Sequence, residues 1–229
     1  MDEYRTVVGI DGCPAGWVCF HVDLSSRKTT VKILASITEL CGEADQTRLI
    51  AIDIPIGLPV KGARACDLAA RKLLGKPRSS SVFPAPVRAS LTAKTYEEAC
   101  ELSLRAHGKS LSRQAFELIP KIREVDDLLT PELQVSIFEV HPEVSFWALN
   151  GRRPLRHKKY ESEGRAERLR LLLPHFPAIQ EHLAELDRRK SGQHDLLDAA
   201  AAAWTADCVA KRVVARQFDE RGLRMEIVY

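Results

Sequence analysis

Two aspartates, Asp195 and Asp198, stand three residues apart in the segment GQHDLLDAAAAAWTA near the end of the chain. On a helix, side chains at this spacing lean to the same side about one turn apart. The five alanines that follow favour helix and remove bulk, so the helix is able to lie close to the element it packs against. The segment therefore predicts two carboxylates held beside a core, where further acids would complete a site.

Three other acids each close a predicted strand. Asp11 ends the run TVVGID, Asp53 ends RLIAID and Glu139 ends QVSIFE. The run before Asp53 is almost continuously apolar, as expected for a central strand covered on both faces. The carboxyl ends of parallel strands share one edge of the sheet, and open α/β sheets bind ligands there. We therefore expect these acids to meet the helical pair at that edge.

A cluster of four or five carboxylates repels itself unless cations neutralise it. The six cysteines form no CxxC pair and no paired histidine spacing accompanies them, so zinc is disfavoured and oxygen ligands point to Mg²⁺ or Mn²⁺. Two such ions stabilise the attacking and leaving oxygens of an in-line phosphoryl displacement. The chemistry predicted is phosphodiester hydrolysis. The candidate metal ligands are Asp11, Asp53, Asp195 and Asp198, and Glu139 is a further catalytic candidate.

Basic, hydroxyl and imidazole side chains are candidates for binding phosphate. Guanidinium and hydroxyl groups suit such a ligand, and the loop KPRSSSVFPAPVR is rich in them. The candidates are Arg78, Ser80, Ser81, Arg88, His141 and Lys159. Local hydrogen bonding explains the loop residues equally well. A structural hydrogen bond is the simpler explanation for the histidine, and a solvated face is the simpler one for the lysine.

Each acid also has a structural explanation. Asp11 suits a turn, Glu139 suits a cap of the helix that follows, and the pair near the chain end suits a helix N-cap and first turn. Asp53 is harder to explain this way, because an acid closing a buried strand costs desolvation energy unless it is paired. The joint occurrence of acids at three strand ends and on one helix favours a shared site.

The composition is that of a soluble globular protein. The chain has 229 residues, of which 45% are hydrophobic and 28% charged, which suffices for a real core. A balance of 34 basic against 31 acidic residues, net charge +3, neither requires nor excludes nucleic acid. No basic segment followed by an apolar stretch opens the chain, and no run of about 18 apolar residues occurs. We expect a cytoplasmic protein without a membrane span.

The predicted elements follow the order βββαβαβα. Strands are predicted at 6–11, 17–22, 29–34, 48–55 and 134–140, with an edge strand at 224–228. The segment from about 55 to 133 is too long for a simple crossover and is predicted to be a helical insertion, with helices at 63–74, 95–107 and 112–129. Further helices are predicted at 36–42, 142–149, 166–173, 178–186 and 195–215.

Six segments carry a family resemblance: VVGIDGCPAGW, AIDIPIGLP, PRSSSVFPAPVR, FEVHPEVSFWALNG, GRAERLRLL and HDLLDAAAAAW. They closely resemble a bacterial family of uncharacterised proteins, domain of unknown function four-two-nine, described as predicted nucleases of the ribonuclease H-like fold. The resemblance covers about residues 6–210. It implies one α/β ribonuclease H-like domain over residues 1–229, with a mixed five-stranded sheet in the order 3-2-1-4-5, strand 2 antiparallel, flanking helices and the insertion at about 55–133.

The wider superfamily has an acid on strand one, one after strand four, and a late helical pair like the D-x-x-D-A of Holliday-junction resolvases. The matching positions are Asp11, Asp53, Asp195 and Asp198. Ribonuclease H itself uses a glutamate from its first helix, and only Glu39 or Glu43 is available for that place. Glu139 is not part of this simplest pattern.

The leading prediction is a Mg²⁺- or Mn²⁺-dependent nuclease with DNA or RNA as substrate. A nucleic-acid or nucleotide-binding protein without catalysis is one alternative. An actin-like or sugar-kinase-type phosphotransferase is another, but it needs a second similar domain, for which 229 residues leave little room. The glycines near the start do not form G-x-G-x-x-G, no Walker lysine motif occurs, and the serine run lacks a G-x-S-x-G setting.

Overall fold

A β-hairpin begins the fold in the computed structural model, which describes residues 4–41, 48–208, 212–213 and 217–229. Strand β1 (Thr6–Cys13) pairs antiparallel with β2 (Gly16–Asp23), and β2 pairs antiparallel with β3 (Thr29–Leu34). Gly16 has a φ of 128°, and a Cβ there would lie 2.2 Å from the carbonyl oxygen of Leu34. The tight hairpin therefore requires glycine at this position.

Two parallel strands extend the sheet on the other side of β1. Strand β4 (Arg48–Ile52) pairs with β1, and β5 (Ile137–Glu139) pairs with β4. The sheet order is β3-β2-β1-β4-β5, which confirms the predicted mixed five-stranded sheet and is compatible with a ribonuclease H-like fold. Because β1, β4 and β5 are parallel, their carboxyl ends share one edge, and the acids that close them lie along it.

The long connection from β4 to β5 is helical, as predicted. Its helices are α2 (Ala65–Leu74), α3 (Tyr96–His107), α4 (Arg113–Glu117) and α5 (Ile119–Leu128), with 3₁₀ turns at Arg78–Ser81, Arg88–Thr92 and Leu133–Val135. Thr95 caps α3 by accepting a hydrogen bond from the Glu98 N–H at 3.2 Å. The helix predicted at 112–129 is two helices, because Pro120 occupies the first turn of α5, where a missing N–H costs nothing.

The remaining elements differ from the predictions mainly at their ends. They are α1 (Thr38–Cys41) before β4, and α6 (Pro142–Leu149), α7 (Ser162–Leu172), α8 (Ile179–Glu185), α9 (Gln193–Cys208), β6 (Arg212–Val213) and β7 (Ile227–Val228) after β5. The strand predicted from residue 134 starts later, after a 3₁₀ turn. The helix predicted at 195–215 ends at Cys208; residues 209–211 and 214–216 lie outside the described residues, and 212–213 pair with β7.

The alanine-rich helix α9 packs directly on the central strand. Ala199 to Ala203 are all fully buried. A Cβ on Gly9 of β1 would lie 2.0 Å from the Ala199 carbonyl oxygen and 2.1 Å from the Ala203 nitrogen. Since both neighbours are backbone atoms, strand and helix touch at a distance that only glycine permits. Small side chains on both elements therefore decide where the acids of α9 lie.

Apolar side chains fill both faces of the sheet. One face packs Phe20 and Phe138 against α7, α8 and α9, and the other packs Ile10 and Ile52 against the inserted helices. No helix within the described ranges has the length and apolar character that crossing a membrane requires.

Candidate functional site

Four aspartates line one cavity at the carboxyl edge of the sheet. Asp11, Asp195 and Asp198 are buried, with 7%, 6% and 2% exposure, and Asp53 is partly buried. The cavity has a volume of about 840 Å³ and is bounded by the sheet edge, the start of α9 and residues of the insertion. The acids of three separate elements thus reach one space.

Strand pairing brings Asp11 and Asp53 together. The parallel register aligns Ile10 with Ile52, and the Asp53 N–H continues the ladder by donating to the Ile10 carbonyl at 2.9 Å. The Gly12 N–H donates to Asp11 Oδ1 at 2.7 Å. Asp11 therefore has the structural role in the turn that its place in the sequence suggests. Its carboxylate also lines the cavity.

The cluster is electrostatically strained. Burial raises the pKa of Asp11 well above its usual value, and the nearby carboxylates of Asp53 and Asp198, with a smaller effect from Asp195, raise it further. Burial also raises the pKa of Asp53 to about 6, although His141 and Lys159 oppose the rise. The neighbouring carboxylates thus disfavour ionisation of Asp11, as expected when acids share a poorly solvated space.

Lys159 contributes a positive charge to this cluster. Its Nζ lies 2.8 Å from Asp198 Oδ2, and its side chain is 30% exposed. Burial alone would lower the pKa of Lys159, but Asp198 and Asp11 attract the ammonium and raise the pKa above its usual value. The Lys159 ammonium therefore interacts with the carboxylates of Asp198, Asp11 and Asp53, and the ion pair with Asp198 is the direct contact.

Asp195 and Asp198 have different surroundings despite sharing one side of α9. Asp195 Oδ2 accepts from the Gly192 N–H at 2.8 Å, and its Oδ1 lies 3.0 Å from His194 Nε2. Asp195 is thus the third residue of α9 and not its N-cap as predicted, and it holds the helix N-terminus by accepting from the residue before the helix. Asp198 lies one turn later and pairs with Lys159.

The donor set suits a hard divalent cation in chemistry and charge. Carboxylate oxygens are the ligands that Mg²⁺ and Mn²⁺ prefer, and the four aspartates share the cavity wall with Cys13, His141 and His194. In the part of the chain that the structure describes, no three Asp, Glu, His or Cys side chains are already arranged to hold one metal ion. The positive charge next to Asp198 is supplied by the Lys159 ammonium.

Glu139 forms a buried ion pair with Arg64 through both of its carboxylate oxygens, whereas Asp198 pairs with Lys159 through one. Arg64 donates from Nη1 to Oε2 at 2.6 Å and from Nη2 to Oε1 at 2.7 Å, and the Ile56 N–H adds a third bond at 2.7 Å. Burial raises the pKa of Glu139 to about 7, and Arg64 opposes that rise. Arg64 also pairs with Asp67, so a buried ion network holds α2 to the end of β5. Both Glu139 oxygens are occupied by these bonds, so the residue predicted as a further catalytic candidate is held in a structural ion pair.

The loop residues expected to contact phosphate differ in whether their polar groups are already used within the protein. Arg78 lines the cavity but is buried, and it donates to the carbonyl oxygens of Leu155 at 2.9 Å and Arg156 at 2.7 Å. The guanidinium therefore anchors the loop that leads to Lys159. Ser80 and Ser81 line the cavity with partly or fully exposed side chains, which is compatible with the predicted contact.

Arg88 lies elsewhere. It forms ion pairs with Asp126 at 2.8 Å and with the buried Asp219, and it is not among the residues that line the cavity. These two carboxylates are distant in sequence and compensate its charge, which sequence spacing does not reveal. Arg88 is therefore not part of the proposed phosphate site.

His141 lies at the cavity with both ring nitrogens engaged. Its Nδ1 accepts from the Glu143 N–H at 3.2 Å, so its Nε2 carries the proton and faces the Ser81 carbonyl oxygen at 3.3 Å. The histidine thereby caps α6 and ties it to the loop of the insertion. A structural role accounts for both contacts.

Glu143 is a cavity residue that the sequence did not predict. The predicted acid of this segment is Glu139. Glu143 lines the cavity from the first turn of α6, contributes to the raised pKa of Asp53, and accepts from buried Arg168. Its Oε2 and the Arg168 Nε have no hydrogen-bond partner among the described residues. The signal was present in the segment EVHPE, where a second acid follows the strand end by four residues.

The first-helix glutamate of ribonuclease H has no counterpart within the described residues. Glu39 Oε1 accepts from the N–H groups of Ala35 and Ser36, both at 2.9 Å, and so caps α1. Glu43 lies outside the residues that the structure describes.

Comparison with known proteins identifies the family. No curated protein and no solved structure matches the chain. Residues 9–219 match the profile of a family described as protein of unknown function (DUF429), and this range contains the whole carboxylate cluster and Lys159. The match covers most of the chain, which therefore belongs to the DUF429 family.

Proposed function

We propose that this protein is a divalent-metal-dependent hydrolase that cleaves phosphodiester bonds of nucleic acid. One observation carries the proposal: Asp11, Asp53 and Asp198 come from three elements and share one cavity, where burial and then the neighbouring carboxylates raise the pKa of Asp11. Repulsion between buried carboxylates destabilises the folded state. Proteins retain such destabilising clusters mainly at functional sites.

Asp11, Asp53 and Asp198 are the proposed ligands, with Asp195 beside them. When bound, Mg²⁺ or Mn²⁺ would stabilise the negative charge that develops on a phosphoryl group and help to activate water. Asp195 is proposed as the less direct participant, because its carboxylate already holds the start of α9. Lys159 would be released from Asp198 and become available to a phosphate oxygen.

The surrounding residues hold the cavity in shape. Arg78 anchors the Lys159 loop through two carbonyl groups, and His141 ties α6 to the insertion. Ser80 and Ser81 are the hydroxyl groups available to a phosphate at the cavity wall. Positioning of this kind supplies much of the rate enhancement in phosphoryl transfer.

Metal titration and cleavage assays test the proposal. Wild-type protein should bind Mn²⁺ by calorimetry and cut end-labelled DNA or RNA only when a divalent ion is present. Asp53→Asn removes one proposed ligand and should weaken Mn²⁺ binding by at least the roughly 10- to 100-fold that loss of a residue supporting a ligand causes, with a matching loss of cleavage. Asp127→Asn, an exposed change on α5, is the control and should alter neither quantity.

Other outcomes would decide for the alternatives. Nucleic-acid binding without cleavage under any divalent ion would favour a binding protein. Transfer of phosphate from a nucleoside triphosphate to an acceptor would favour a phosphotransferase. Unchanged Mn²⁺ affinity in Asp53→Asn would contradict the proposed ligand set.

Lys159→Met should separate metal affinity from cleavage. Removing the ammonium leaves the carboxylates uncompensated, so Mn²⁺ should bind more tightly, by on the order of 10-fold. Cleavage at saturating Mn²⁺ should nevertheless be slower, because a phosphate contact is lost. Lys158→Met removes the same charge from the exposed neighbouring position and should change Mn²⁺ affinity far less. Weaker Mn²⁺ binding in Lys159→Met would show that the lysine does not compete with the metal.

A further inference from the structure

Exposed aromatic side chains concentrate at the candidate site. Of the Phe, Tyr and Trp residues that the structure describes, three are exposed: Tyr160 at 64%, Phe83 at 38% and Phe218 at 58%. Tyr160 and Phe83 both line the cavity that holds the carboxylates. Phe218 does not, so aromatic exposure coincides with the cavity at two of the three positions.

Tyr160 is held next to the carboxylates. It directly follows Lys159, and its ring contacts His194 edge to face at a centroid distance of 4.8 Å. Arg165 donates to the Tyr160 carbonyl oxygen at 2.8 Å, which fixes the backbone of the loop. The ring is therefore exposed on a positioned segment, one residue from Lys159 in sequence and in contact with the neighbour of Asp195.

Phe83 is exposed although both of its flanks are anchored. Val82 is buried, and its carbonyl oxygen accepts from Arg71 Nη1 at 2.6 Å. Ala85 is buried as well, and its N–H donates to Asp67 Oδ2 at 2.9 Å. Phe83 is thus exposed on an anchored loop, because the backbone groups of Val82 and Ala85 are hydrogen-bonded to other parts of the protein.

Exposed rings beside cationic groups are the recognition surface of unpaired bases. Base stacking on an aromatic side chain contributes about 1–3 kcal/mol per base, and lysine beside the ring tracks the backbone. A base inside a duplex has both faces covered by its neighbours and must leave the stack before a protein ring reaches it. A cavity of about 840 Å³ is also in the size range of small-ligand pockets, far below the volume of a double helix.

We infer that the cavity binds single-stranded nucleic acid, with unpaired bases stacking on Tyr160 and Phe83 while the adjoining phosphate reaches the carboxylate cluster. The inference rests on the proposed function for the identity of the ligand class. Beyond the proposed function, the bound nucleic acid is single-stranded, and Tyr160 and Phe83 are the residues that determine this specificity.

Binding measured without cleavage tests the inference. Anisotropy of a fluorescent single strand, its duplex and an abasic strand of equal length is recorded with wild-type protein in Ca²⁺, a hard cation that carboxylates bind, and a denaturing gel checks that the strands stay intact. The single strand should bind more tightly than the other two. Tyr160→Ala should weaken single-strand binding by about 5- to 100-fold, Phe83→Ala should weaken it in the same direction, and Tyr160→Phe should retain it.

Phe218→Ala is the matched control, since it removes an exposed ring away from the cavity and should leave binding unchanged. Equal affinity for the single and abasic strands, or unchanged single-strand affinity in both Tyr160→Ala and Phe83→Ala, would overturn the inference. The proposed hydrolysis has a separate readout. Loss of single-strand binding in Tyr160→Ala without cleavage by any wild-type sample would support the inference and contradict hydrolysis, and metal-dependent cleavage with no strand preference would do the reverse.

Discussion

Asp11→Asn is expected to abolish metal binding and cleavage and, in the same protein, to stabilise the fold. Asparagine keeps the Oδ1 acceptor used by the Gly12 N–H but removes one buried charge from the cluster. Cleavage should fall by at least about 10³-fold, equivalent to ~4 kcal/mol of transition-state stabilisation. The gain in unfolding free energy should be about 0.5–2 kcal/mol, as at other sites that trade stability for function.

The stabilisation should depend on pH in a defined direction. The folded-state pKa of Asp11 is raised above its unfolded value, because burial and the neighbouring carboxylates disfavour the ion. The folded state therefore binds the proton more tightly, and the stability contributed by this group is full below the unfolded pKa and is lost as pH rises through the folded pKa. The Tm gain of Asp11→Asn should thus be larger at pH 7 than at pH 4.

Asp23→Asn is the matched control with the opposite sign. Asp23 is a turn acid whose pKa is lowered by hydrogen bonds from the Ser26 N–H and hydroxyl group. Its ionised form stabilises the folded state near neutral pH, so its removal should lower Tm slightly and leave Mn²⁺ binding intact. Thermal scans with and without Mn²⁺ check both variants. A destabilised Asp11→Asn protein, or one whose Tm still rises with Mn²⁺, would contradict the role assigned to Asp11.

Gly9→Ala is expected to destabilise the fold by roughly 3 kcal/mol or more, a large effect for a single methyl group. The added carbon would lie 2.0 Å from the Ala199 carbonyl oxygen and 2.1 Å from the Ala203 nitrogen. Backbone atoms of a buried helix do not swing aside, so α9 as a whole must move away from β1. The apparent Tm should fall by about 6–12 °C.

The same displacement should reach the site. Helix α9 carries Asp195 and Asp198, so its movement separates them from Asp11 and weakens Mn²⁺ binding. Gly12→Ala, on the same strand, is the control for stability, because its Cβ would meet only the flexible Lys121 side chain at 3.0 Å. Thermal or urea unfolding of the two variants makes the comparison. Equal Tm values would mean that β1 and α9 are not in the close contact described.

Much of the sheet and the position of its acids follow from local patterns. Apolar β-branched runs predict strands, and once β1 and β4 pair in parallel, Asp11 and Asp53 lie at one edge of the sheet. The Thr95 cap and the helical character of 192–206 are equally local, since they depend on residues within one or two turns. The alanines of this segment already indicated a close helix contact.

Partners distant in sequence decided which acids belong to the cluster. Glu139 ends its strand as Asp53 does, but Arg64, 75 residues earlier, neutralises it. Lys159 reaches Asp198 across 39 residues, and Arg88 is drawn away by Asp219 across 131. No spacing rule predicts such pairs, because the chain brings them together only when separate elements pack.

By itself, the sequence determined the strands that end in acids and the alanine-rich helix, because these depend on periodicity and side-chain chemistry, and the strand order followed from the family resemblance. Only the tertiary structure decided which carboxylates form ion pairs, that Lys159 stands among them, and that Tyr160 and Phe83 are exposed at the same cavity. The physical reason is that charge compensation and exposure are properties of a packed environment, which long-range contacts create and local sequence does not contain.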